Sequence, residues 1–170
     1  MLFVLTGSAG SGKSTALQEL SNRRHDLATF DFDDLRPPAD ATQSWWQRQI
    51  DDRVTWAVAG QARGKDSILA GWLALGEVLA APSAAQLEGV AACLLDCDDD
   101  VRVARIERRA ASGTWRQHTP EEVAGFLRAA ARMRESGAGM FRLDTSALDA
   151  GAVVSRLEEW MAHAGPAGVM

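Results

Sequence analysis

The nine residues GSAGSGKST, Gly7 to Thr15, follow directly on the apolar run LFVLT, and no other stretch of the chain restricts its fold so tightly. A continuous apolar run of this length reads as a strand buried on both faces, and helix-forming residues from Lys13 to Arg24 come after the loop. The order is strand, glycine loop, helix. Gly7, Gly12, Lys13 and Ser14 match the phosphate-loop pattern GxxxxGK[ST]. Glycines let the backbone curl closely around phosphate oxygens with its amides pointing at them, and the helix opening near Gly12 adds the positive end of its dipole. Lys13 is placed to reach the β- and γ-phosphates, and the Ser14 hydroxyl to ligate Mg²⁺. Gly7, Ser8, Ala9, Gly10, Ser11, Gly12, Lys13, Ser14 and Thr15 therefore form the candidate nucleotide cradle, with ATP and Mg²⁺ as the expected ligands.

The 170 residues suit one domain, expected over 1–163 with a flexible tail at 164–170. The net charge is −5 and no Lys/Arg block occurs, which argues against a nucleic-acid or membrane-surface partner. With no long apolar run and no signal-like amino terminus, a soluble, cytoplasmic protein is expected. The expected partner is a small-molecule acceptor, and the chain is expected to be a monomer or homodimer. Cys93 and Cys97 lack CxxC spacing and further ligands, so they are expected as small buried residues rather than a redox pair or zinc site.

Strands are predicted at Leu2 to Thr6, Leu27 to Asp33, Ser67 to Gly71, Val90 to Cys97 and Met140 to Asp144, with helical material between them. That alternation predicts an α/β fold with a parallel sheet covered on both sides. A helix over about 42–62 places Trp46, Ile50, Val54 and Ala57 on one stripe, with Trp45, Gln49 and Trp56 beside it. An Arg-rich helix is predicted over Asp99 to Ala111. A capping box (Thr119, Pro120, Glu122) opens another that runs to about Ser136 and stops at Gly137. The last helix, about Asp149 to His163, buries Val153, Val154, Leu157, Trp160 and Met161.

Taken together, the loop, the acidic exit of the second strand (FDFDD) and the Arg-rich helix resemble the small P-loop kinases of the nucleotide, shikimate and gluconate kinase group. The chain is also similar to the phosphotransferases that inactivate antibiotics such as chloramphenicol. The resemblance implies a P-loop NTPase fold, a five-stranded parallel sheet of order 2-3-1-4-5, and an ATP-dependent kinase. By likeness to the shikimate kinase D-x-D pattern, Asp31 becomes the metal-side acid and Asp33 the acceptor-side base, with Asp34 beside it. Arg105, Ile106 and Arg109 match the R-[LIV]-x-x-R segment that leads into a gluconate kinase lid, expected here over about 105–118. Asp144, Thr145 and Ser146 fit a turn near the adenine, and about 36–64 is the expected acceptor-binding region. The chain departs from the pattern at its third strand, which ends in Gly71 and Trp72 instead of Asp. The metal role then falls on Asp31 or Asp33, or on Asp96 at the end of the fourth strand.

The expected roles are catalytic for Lys13, Asp33 and Arg109, metal-binding for Ser14 and Asp31, ATP-binding for Arg105, Arg109 and Thr145, and acceptor-binding for Asp33, Asp34 and Arg53. Plainer readings stand beside these. The acids also suit a solvated turn, and Arg102, Arg105, Arg108 and Arg109 also suit a solvent-facing helix surface. Trp45, Trp46 and Trp56 serve either as core filler or, with Arg48 and Arg53, as the wall of an apolar acceptor pocket. Trp72 and Glu77 offer a further wall and a polar anchor. Two other functions remain open: a nucleoside monophosphate kinase, and a nucleotide-binding switch or ATPase.

Overall fold

The computed structural model describes residues 1–113, 116–137 and 140–165. Residues 114–115 of the expected lid and 166–170 of the expected tail lie outside them.

The buried run Leu2–Thr6 forms β1, the centre of the sheet, with β3 (Ser67–Gly71) on one side and β4 (Val90–Asp96) on the other. β2 (Ala28–Asp31) and β5 (Phe141–Asp144) are the edges, all pairs are parallel, and the order is β2-β3-β1-β4-β5. Every residue of β1, β3 and β4 is buried, as strands covered on both faces require.

Alternation along β1 divides the core. Phe3 and Leu5 face α1 (Lys13–Arg23) and α6 (Ala150–His163), where Leu17, Leu20, Val153, Val154 and Leu157 close one layer. Leu2 and Val4 face the other way, against Ile50, Val54 and Ala57 of α2 (Gln43–Gln61) and Val78 of α3 (Leu75–Leu79). Trp46 does not join the buried stripe of α2. It is exposed and packs edge-on against Trp45, ring centroids 4.8 Å apart. Two further helices, α4 (Asp99–Ala111) and α5 (Pro120–Ser136), follow β4. The α5 capping box forms as predicted, with Glu122 N donating to Thr119 Oγ1 and Thr119 N donating to the Glu122 carboxylate. Cys93 and Cys97 are free and buried, and burial pushes the Cys93 thiol up to about 12.

β2 is shorter than its predicted span. Asp31 Oδ1 accepts a 3.0 Å hydrogen bond from Asp33 N, which turns Phe32–Asp34 into a 3₁₀ turn. Phe32 is thereby buried against the end of β3, while Asp33 and Asp34 are exposed at the carboxyl edge. No helix among the described residues is long and apolar enough to cross a membrane.

Candidate active site

The loop Gly7–Gly12 leaves β1 where the chain divides toward β3 and β2 on one side and β4 and β5 on the other, the crevice in which open α/β sheets bind ligands. Glycine is required at its first position by close approach. A Cβ on Gly7 would lie 2.4 Å from Leu95 O and 2.7 Å from Ser11 Oγ.

Four successive carbonyl oxygens of the loop accept hydrogen bonds from side chains. Lys13 Nζ donates to Ser8 O (3.5 Å), Arg102 Nη1 to Ala9 O (2.8 Å), Arg105 Nη1 to Gly10 O (3.4 Å) and Thr145 Oγ1 to Ser11 O (3.1 Å). Ser8 Oγ in turn donates to Phe126 O of α5. These bonds occupy the loop's electronegative atoms, which would otherwise repel an anion.

Lys13 stands at the first turn of α1 with 5% of its side chain exposed. Its ammonium lies 3.6 Å from Asp33 Oδ2. Burial pushes its pKa below the usual lysine value, and the charges of Asp33 and Asp31 oppose that shift. A buried cation with partners this distant fits an anionic ligand such as a nucleotide phosphate. Among the described residues no three His, Cys, Asp or Glu side chains gather around a common point. The donors present, the Ser14 hydroxyl and the Asp31 carboxylate, suit a magnesium ion that takes part of its coordination from phosphate and water.

Two expectations need correction. Asp96 is no candidate metal ligand, because both its oxygens are taken by arginines. Arg102 Nη2 donates to Oδ1 (2.6 Å), and Arg134 Nε and Arg142 Nη2 donate to Oδ2 (2.7 and 2.6 Å). Burial alone would raise its pKa, but Arg134, a backbone hydrogen bond from Cys97 and the charge of Arg142 outweigh burial and hold it below the usual carboxylate value. Arg102, counted with the lid arginines, is completely buried and braces the phosphate loop against β4. Sequence reasoning missed this clamp because its members come from β4, α4, α5 and β5.

The other arginines of α4 divide. Arg105 donates to Thr145 Oγ1 (2.8 Å) and Thr145 O (2.7 Å), fixing the turn after β5 against the loop. Arg109 Nη2 donates to Thr15 Oγ1 (3.3 Å). With Gly12, Leu148 and Val153, both arginines and Thr145 line a cleft of about 300 Å³. Arg116 pairs with Glu122 at the start of α5. Arg53 lies over the Phe30 ring, 4.0 Å from its centroid, in a cation–π contact.

The missing third-strand acid has a steric cause. A Cβ at Gly71 would lie 2.7 Å from Phe32 Cβ, so the turn that presents Asp33 occupies the space a residue larger than glycine would need. A second, larger cleft of about 790 Å³ opens between α3 and α5, with Thr6 of β1 among its lining residues. Its lining includes Trp72, which the sequence offered as a further wall of the acceptor pocket, but no residue of α2, where the sequence placed the rest of that pocket.

A five-stranded parallel sheet in this order with a glycine loop after its first strand defines a small P-loop kinase fold of the gluconate and shikimate kinase kind. The chain belongs to the AAA domain family, whose model matches residues 4–123. Among solved structures it is similar to a sugar kinase from Janibacter sp. HTCC2649, at 15% identity over 96% of this chain and 95% of that one, with a TM-score of 0.67. It is also similar to a gluconokinase from Sinorhizobium meliloti 1021, at 18% identity over 94% of each chain, with a TM-score of 0.62. At such identities the likeness is one of fold. No protein of curated function matches the sequence significantly.

Proposed function

We propose that the protein is an ATP-dependent phosphotransferase that moves the γ-phosphoryl group to a hydroxyl of a small molecule. The observation that carries this reading is the buried Lys13 ammonium within the glycine loop, facing the Asp33 carboxylate at 3.6 Å. Bound Mg-ATP would supply the phosphoryl group and the metal's charge. Gly7 to Thr15 hold the phosphates, Ser14 and Asp31 serve the metal, and the cleft beside Arg105, Arg109 and Thr145 takes the base.

Asp33, 47% exposed, is open to an incoming acceptor. It orients the acceptor hydroxyl and takes its proton as the oxygen forms a bond to the γ-phosphorus. The bond between that phosphorus and the β–γ bridging oxygen breaks, and ADP leaves. Most of the rate enhancement in such a step comes from positioning and charge stabilisation, with Lys13 and Arg109 as the cationic groups.

The test is an ATP-consumption screen over alcohols, sugars, sugar acids, nucleosides and nucleoside monophosphates. Lys13→Ala should abolish turnover and weaken Mg-ATP binding, whereas Asp33→Asn should bind Mg-ATP normally and lose about 10²- to 10⁴-fold in kcat. A Lys13→Ala variant as active as the wild type rejects the proposal. Turnover confined to nucleoside monophosphates would reassign the acceptor from a hydroxyl to a phosphate.

A further inference from the structure

The larger cleft bears on the acceptor's chemistry, an inference that rests on the phosphotransferase reading. Trp72 and Leu79 are 57% and 42% exposed, two of the four large hydrophobic side chains so exposed among the described residues, and both line this cleft. Leu75, Met133 and Met140 add apolar surface. Exposed apolar side chains gathered on one concavity mark a binding surface rather than scattered surface residues. About 790 Å³ is the size of a small-molecule site.

The position ties the cleft to the phosphate cradle. Thr6, in its wall, immediately precedes Gly7, and Trp72 follows Gly71, which packs against Phe32 next to Asp33. Polar groups in its lining are few. The Thr6 hydroxyl already donates to Leu73 O at 2.7 Å, leaving the Trp72 indole N–H and the side chains of Arg132 and Ser136, all on exposed residues. A sugar acid or polyol would lose water from many hydroxyls there and find few partners.

We propose that the phosphoryl acceptor is an alcohol carried on an apolar body, a ring or short hydrocarbon skeleton, that lies between α3 and α5 with its hydroxyl toward Lys13 and Asp33. The apolar body displaces water from Trp72, Leu79 and Met133, and a polyol of equal size does not compensate for the water it gives up. The acceptor's body thus sits away from α2 and its tryptophans.

The experiment labels the methionine methyl groups with ¹³C and titrates 2-phenylethanol, 4-phenylbutan-1-ol and 1,4-cyclohexanedimethanol against glycerol, ribitol and gluconate. Each compound is also assayed as an acceptor, and Mg-ATP binding is measured by calorimetry. The apolar alcohols should shift the Met133 and Met140 signals and be the better acceptors. Leu79→Asp, an exposed position, should raise their KM by about tenfold while leaving Mg-ATP affinity unchanged. Glycerol, ribitol or gluconate turning over faster overturns the proposal and leaves the phosphotransferase reading standing. Methyl signals unmoved by the apolar alcohols, or moved equally in Leu79→Asp, also overturn it. Concentration-dependent dimerisation that quenches the same methyl response assigns the cleft to a second copy and overturns it too. A flat Mg-ATP titration rejects the phosphotransferase reading itself and the acceptor role with it, whatever the methyl signals show.

Discussion

Replacing Asp96 with Asn removes the charge on which three guanidinium groups converge, and the three do not suffer equally. Arg134 and Arg142 keep 27% and 53% of their side chains exposed and can turn to water, whereas Arg102 is wholly buried. Its buried charge, left with Asp99 Oδ1 at 4.0 Å as a distant counter-ion, dominates the cost, about 3–5 kcal/mol for a buried pair broken on one side. Against a total stability of about 5–15 kcal/mol for a domain, that is a large fraction. Adding Arg102→Met fills the same space without a charge, so Asp96→Asn/Arg102→Met should recover at least about 1 kcal/mol of the loss. Urea unfolding with a constant m-value reads these differences directly. A single-variant cost below about 1 kcal/mol, or a double variant that loses the full sum of the two singles, refutes the picture of Arg102 as a buried cation neutralised by Asp96. Because Arg102 also donates to Ala9 O, folded Arg102→Met should bind Mg-ATP more weakly than the wild type.

Three further outcomes are expected. Gly7→Ala forces a methyl group against Leu95 O in the middle of the sheet, so it should cost about 1–3 kcal/mol and lose nucleotide binding, measured by urea unfolding and calorimetry. The folded-state pKa of Asp96 is depressed, so its contribution to stability is present above the unfolded value of about 4 and is lost as pH falls from there toward the folded value. The urea midpoint of the wild type should therefore drop more steeply than that of Asp96→Asn between about pH 5 and 2. Thr119→Ala removes the N-cap that accepts from Glu122 N and should cost about 1 kcal/mol, checked by thermal unfolding, without changing Mg-ATP affinity.

Local patterns made most of the elements legible. β1 and β3 fall on their predicted spans, since an unbroken apolar run between loop residues has few alternatives to a buried strand. α2 and α5 open at Thr42 and Thr119, whose side chains accept from backbone amides in the first turn. β2 was predicted too long because Phe30 and Phe32 look like strand residues, and the Asp31 side chain that bends the chain away acts through one hydrogen bond. α3, only Leu75–Leu79, has too few residues for its periodicity to delimit it.

The amino-acid order alone determined the phosphate loop, since that chemistry needs contiguous glycines, a lysine and a hydroxyl that no fold has to assemble from afar. The larger cleft and the fate of Asp96 were decided by tertiary structure. Arg134 lies 38 residues and Arg142 46 residues from that carboxylate. The walls of the cleft come from two helices on either side of β4. Charge pairing and burial act through space, and only packing of the sheet and its helices brings those groups within reach of one another.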